Sequence, residues 1–72
     1  MNSALEVRRR IALEDPNYQR LASRHEEYDQ RLEELRARKY LSEDEQMEEV
    51  RLKKLKLALK DQMEAIVKRS AH

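Results

Sequence analysis

Tyr18, Leu21, His25, Tyr28, Leu32 and Leu35 follow one another at alternating intervals of three and four residues. On a helix that turns every 3.6 residues, this spacing lines the side chains along one seam, as in a helix built to pack against another helix. The seam fixes an architecture but names no substrate.

A chain of 72 residues holds one small domain, which buries a modest share of the surface that its unfolded form exposes. It is 43% charged with no Gly, no Trp, no Phe and one Pro, so it lacks the residues on which tight turns, sheets and cofactor pockets usually rely. Long helices remain. It also has no Cys, hence neither disulfides nor thiolate metal sites, and a domain without such staples gains stability from long helices or from partners. Sixteen Lys and Arg nearly cancel fifteen Asp and Glu, so no global field gathers nucleic acid. No apolar run approaches the ~20 residues of a membrane span, and Arg8-Arg9-Arg10 stand where a secretion signal needs an apolar stretch. The expected location is the cytoplasm.

Start and stop signals divide the chain. Ser3-Ala4-Leu5-Glu6 has the capping-box form that opens a helix, and Pro16 ends that helix near residue 14. Asp15 is a good N-cap, and Pro16 suits the first helical position, so a second helix is expected from about 16 to 39. Ser42-Glu43-Asp44-Glu45 repeats the capping box and adds acidic side chains where the helix dipole favours them, which starts a third helix at about 43 to 69. The domain reading is therefore a short N-terminal helix in 1–14 and a helical hairpin in 15–70.

A short connection makes the two long helices antiparallel neighbours. Folding about Tyr40-Leu41 sets Leu35 near Met47 and Leu32 near Val50, and brings Glu26, Glu27 and Asp29 beside Lys53, Lys54 and Lys56. Arg36 and Arg38 then fall beside Asp44 and Glu45, which suits the pairing. Glu33 and Glu34 near Glu48 and Glu49 oppose it. The expected hairpin core is Tyr18, Leu21, His25, Tyr28, Leu32, Leu35, Leu52, Leu59, Met63 and Ile66, with Leu55 on the same third-helix stripe. Met47, Val50 and Leu57 lie on another side of that helix. One hairpin partner does not cover both sides, so these three are candidate contacts between subunits in a dimer or larger bundle.

Sites of chemistry are sparse. His25-Glu26-Glu27-Tyr28-Asp29 has the start of a zinc-protease helix but lacks the second His, and one imidazole with one carboxylate makes a poor metal site. A seam histidine bonded to Asp29 or across the interface is the plainer reading, with a pH-dependent role open because imidazole titrates near pH 6.5. Arg51, Lys53, Lys54, Lys56 and Lys60 are candidate phosphate contacts, but no aromatic side chains interleave with them for base stacking. No nucleophile set, Gly-rich loop or concave fold supports catalysis, so neither enzymatic activity nor a cofactor or metal is expected.

Glu14-Asp15-Pro16-Asn17-Tyr18, then Leu21, His25, Tyr28 and Asp29, then the run from Val50 to Met63 resemble the YdcH-like family, small bacterial proteins of unknown function. The likeness covers about residues 14 to 67, with Tyr28 and Leu55 as departures from the family pattern. It implies a cytoplasmic bacterial helical hairpin of coiled-coil character and transfers no catalytic residue. The combined expectation is an all-α antiparallel two-helix coiled-coil hairpin with a short N-terminal helix, assembling into a homo-oligomeric helical bundle. Its role is that of a self-associating structural or protein-interaction module. A nucleic-acid-associated protein using the basic face of the last helix is the alternative.

Overall fold

The computed structural model describes residues 3–70, with side chains from residue 5 onward. Helix α1 spans Ser3–Glu14, α2 spans Pro16–Arg36 and α3 spans Glu43–Ser70. All regular structure among the described residues is helical. The Ser3 side chain of the first capping box lies outside the described residues.

The joint between α1 and α2 is one residue, Asp15, and its conformation follows from its chemistry. It is extended at φ −94° and ψ 110°, and its carboxylate accepts from the Asn17 and Tyr18 amides at 2.8 and 3.1 Å. These amides would otherwise lack partners at the helix start. From the next turn, Gln19 donates its side-chain amide to the carbonyls of Ala12 and Leu13 at 3.1 and 3.0 Å, satisfying the exposed end of α1. A single glutamine thus ties the two helices together.

At the other turn, α2 ends at Arg36, a few residues before the expected stop at Lys39. The Ala37 amide still reaches the Glu33 carbonyl at 3.0 Å, and the Arg38 amide tightens onto Leu35 at 3.2 Å. The early stop lets Leu41 turn back against the cluster of Leu32, Leu35 and Leu52. The capping box then starts α3 in full: the Ser42 amide donates to Glu45 Oε1 at 3.0 Å, and the Glu45 amide donates to Ser42 Oγ at 3.2 Å. Glu43, Asp44 and Glu45 fill the first turn, and Lys68 and Arg69 the last, so both ends of the longest helix match its dipole.

α2 and α3 form the antiparallel hairpin, and α1 folds back onto its open end, touching both. Two apolar clusters result. Near the loop, Leu32 and Leu35 are fully buried with Leu52, and Tyr28 and Leu41 pack beside them. At the open end, Ile11 of α1 joins Ile66 and Val67, with Val7, Tyr18 and Leu21 against them. The register therefore sets Leu32 and Leu35 against Leu52, while Val50 and Met47 face away. Tyr18 and Leu21 serve a three-helix cluster instead of a two-helix seam. Leu55 lies about 60° around the helix from Leu52 at ~100° per residue, so it falls outside the contact stripe and is exposed.

The molecule measures 45 × 22 × 17 Å with a radius of gyration of 15.1 Å, where a compact chain of this length would have about 11 Å. It is a short rod.

Candidate interaction surfaces

Ion pairs hold the hairpin register. Arg38 pairs with Glu45, and Lys56 with Asp29, two of the matches that antiparallel folding anticipates. The predicted clash of glutamates is resolved by Arg31, whose Nε and Nη2 donate to both oxygens of Glu48 at 2.8 and 2.9 Å while Nη1 reaches Glu34 at 3.0 Å. A planar guanidinium suits this work because its donors form a fixed fork. At the open end, Arg8 grips Glu64 the same way at 2.6 and 2.7 Å, fastening α1 to α3. Hydrogen bonding from Arg31 holds the Glu48 carboxyl below its ordinary range, as Arg8 does for Glu64 and Lys56 for Asp29. Arg31 and Arg8 are shifted upward by the same bonds.

Of the expected core, Leu32, Leu35, Leu52, Leu59 and Ile66 are buried, while Tyr18, Leu21, His25, Tyr28 and Met63 are half-buried. Ile11 and Val67 are also buried; sequence reading missed both because their partner surface exists only once α1 folds back. His25 lines a groove of about 640 Å³ between α2 and α3 with Tyr18, Leu32, Leu57 and Met63. Among the described residues it makes no hydrogen bond, and Asp29, the partner expected for it, is engaged by Lys56. No three His, Asp or Glu side chains converge as a metal set among the described residues.

The basic residues of α3 do not form one patch. Lys53, Lys56 and Lys60 edge the His25 groove, with Lys56 paired to Asp29 and Lys53 lying 3.8 Å from Glu49. Arg51 and Lys54 instead accompany Met47 and Val50.

The outer face of α3 carries the second apolar strip. Met47, Val50 and Leu57 are 64%, 52% and 62% exposed, at positions about 140 to 160° around the helix from the buried Leu52. Lys54 and Asp61 occupy the intervening places of the same three-four spacing. Among the described residues nothing covers Met47 and Val50, whereas Leu57 stands at the rim of the His25 groove.

On the other side of the hairpin from His25, Arg20 of α2 and Arg69 of α3 line one cleft of about 390 Å³. These arginines were missed because the search for cations followed runs along the chain, and these two are far apart in sequence. A detectable signal existed: neither has an acidic residue three or four positions away on its own helix.

These surfaces belong to a small helical-hairpin protein whose exposed features are faces and shallow clefts. No helix among the described residues is long and apolar enough to cross a membrane. The chain belongs to the family described as "protein of unknown function (DUF465)", whose model matches residues 19–67 and which includes the YdcH-like proteins that the sequence resembles. No curated protein and no solved structure matches the chain.

Proposed function

We propose that this chain is a self-associating helical module in which a second copy covers the outer face of α3. The observation that carries the reading is the exposure of three apolar side chains on α3: Met47 and Val50 on its outer side, and Leu57 at the rim of the His25 groove. The available area supports it. The chain exposes 6001 Å², whereas a compact monomer of 8.7 kDa exposes about 4,700 Å² by the usual mass scaling. The excess of about 1,300 Å² is more than the ~800 Å² per partner that a standard stable interface covers.

Charge favours an antiparallel copy with its two-fold axis between Leu57 and Ala58. In that register the two Leu57 side chains flank the axis, Lys54 falls opposite Asp61 of the partner subunit on both sides of it, and Val50 lies over the partner's Ala65. Such an interface is self-complementary, as two-fold symmetry requires. No enzymatic step is part of this reading. Phosphate contact through Arg51, Lys53, Lys54, Lys56 and Lys60 is the less favoured function, because these side chains are divided between two faces and two of them have carboxylate neighbours.

Sedimentation equilibrium tests the proposal. The parent chain should dimerise in the micromolar range, Leu57→Lys should be monomeric, and Lys54→Asp should weaken association that Lys54→Asp with Asp61→Lys restores. A parent chain that stays monomeric at about 100 μM, roughly a hundredfold above a dissociation constant of about 1 μM, refutes it.

A further inference from the structure

The furrow between α2 and α3 already holds one helix over part of its length. Ile11 of α1 packs with Ile66 and Val67, against Tyr18 and Leu21 of α2, and Arg8 of α1 bonds Glu64 at 2.6 and 2.7 Å. Stepping back three residues on α1, from Ile11 to Arg8, thus steps back three on α3, from Val67 to Glu64. So α1 runs in the direction of α3 and fills the open-end part of the furrow. Beyond Arg8 the furrow continues uncovered as the groove of about 640 Å³. Its floor is mostly apolar, with Leu32 fully buried, Tyr18, His25 and Met63 half-buried, and Leu57 exposed at the edge. The α3 lining runs from Lys53 to Glu64, about 17 Å at ~1.5 Å per residue, or roughly three turns of a helix.

Charge sets the sign of what fits. Past the Arg8–Glu64 bond the lining contains Arg36, Lys53, Lys56 and Lys60 and, among the described residues, no carboxylate. Asp29 and Glu49 answer Lys56 and Lys53 from outside it, which leaves the other two cations in surplus. Lysine stems extend the apolar walls while their charged heads stay in water.

We propose that this groove docks an acidic amphipathic helix of a partner protein, laid end to end with α1. Such a helix enters through apolar side chains at three-four spacing, here over Leu32, Leu57 and Met63, and carries Asp or Glu on its flanks toward the lysines and Arg36. A basic helix is repelled there, so the groove selects its occupant by sign as well as by shape. Met47 and Val50 line a different surface, and docking does not rest on self-association.

The test titrates the full chain with a fluorophore-labelled peptide of about 16 residues, enough for the three turns of the groove, that carries Leu at three-four spacing along one face and Glu elsewhere. A second peptide has Lys in place of every Glu. Fluorescence anisotropy reads affinity, and methyl NMR of Leu, Val and Met reads location. The acidic peptide should bind with a dissociation constant on the order of 10 to 100 μM, as a contact smaller than a standard interface implies. It should bind at least tenfold more tightly than the basic one, with shifts at Leu32, Leu57 and Met63. Lys53→Glu with Lys60→Glu, both at exposed positions, should leave the chain helical and invert the preference. Val50→Lys, which disrupts the outer face of α3 and leaves the groove intact, should bind as the parent does. Peptide shifts confined to Met47 and Val50, or equal affinity for the two peptides, would overturn the proposal. So would Met63 shifts that grow with protein concentration alone, which assign the groove to a second copy, or displacement of the peptide by laurate at lower concentration than by unlabelled peptide, which assigns it to an anionic acyl chain.

Discussion

Replacing Leu32 by Ala tests the packing at its densest point. Leu32 has no exposed surface and lies among Leu35, Leu52, Tyr28 and Leu41. The change removes three carbons, which at about 0.8 kcal/mol each account for about 2.4 kcal/mol of transfer free energy. The space left behind adds to this, because neighbouring side chains close it only in part, and the total should reach about 3 to 4 kcal/mol. A domain of this length has roughly 4 to 11 kcal/mol of stability in all, so the variant should lose a large fraction of its resistance to urea. Unfolding followed by circular dichroism at fixed protein concentration reads the effect, with Leu13→Ala as the control. Leu13 is 80% exposed, and its truncation should cost less than about 0.5 kcal/mol. If Leu32→Ala costs under about 1 kcal/mol, or no more than Leu13→Ala, the loop-end cluster does not hold the hairpin and the reasoning fails.

Ser42→Ala removes one half of the reciprocal cap on α3 and should cost about 1 kcal/mol in urea unfolding; an unchanged midpoint would show that the cap contributes nothing. Arg31→Gln should let the Glu48 carboxyl titrate at a higher pH, because the bond that depresses it is gone, and a carboxyl-resolved NMR titration showing no such rise would contradict the bridge. Acid should destabilise the parent. Asp29, Glu48 and Glu64 have folded values lowered by their cationic partners, and unfolding returns them to about 4. The unfolded chain then binds more protons, so their contribution is complete above the unfolded value and is lost as pH falls through the folded ones. Melting temperatures that stay constant from pH 6 to pH 2 would dispose of that account.

Much of the hairpin was legible because its signals are local. Asp15-Pro16 and Ser42-x-x-Glu45 state where helices start through bonds made within three residues, and the three-four stripe of α2 states which face turns inward. The end of α2 was less legible: it depends on Leu41 reaching a cluster built from both helices, and no Gly or Pro marks the stop. The docking of α1 was left open by its sequence because Ile11 gains its partners, Ile66 and Val67, only after the chain has doubled back twice. The bridging by Arg31 was missed for a related reason. Reading charges pairwise set glutamate against glutamate, whereas one guanidinium serves two carboxylates at once. Arg20 and Arg69 show the same limit: that they line one cleft depends on helix register, which sequence spacing states only within each helix.

The apolar mass sits at the two ends of the rod, with Leu59 as the buried residue of α3 between them. Each end is latched on its own, one by the turn and its cap, the other by α1 with its glutamine tie and its Arg8 clasp. Such a molecule can release its first helix and loosen the last turns of α3 while the loop end stays zipped. Opening is graded along its length, with amide protons near Ile66 exchanging sooner than those near Leu35.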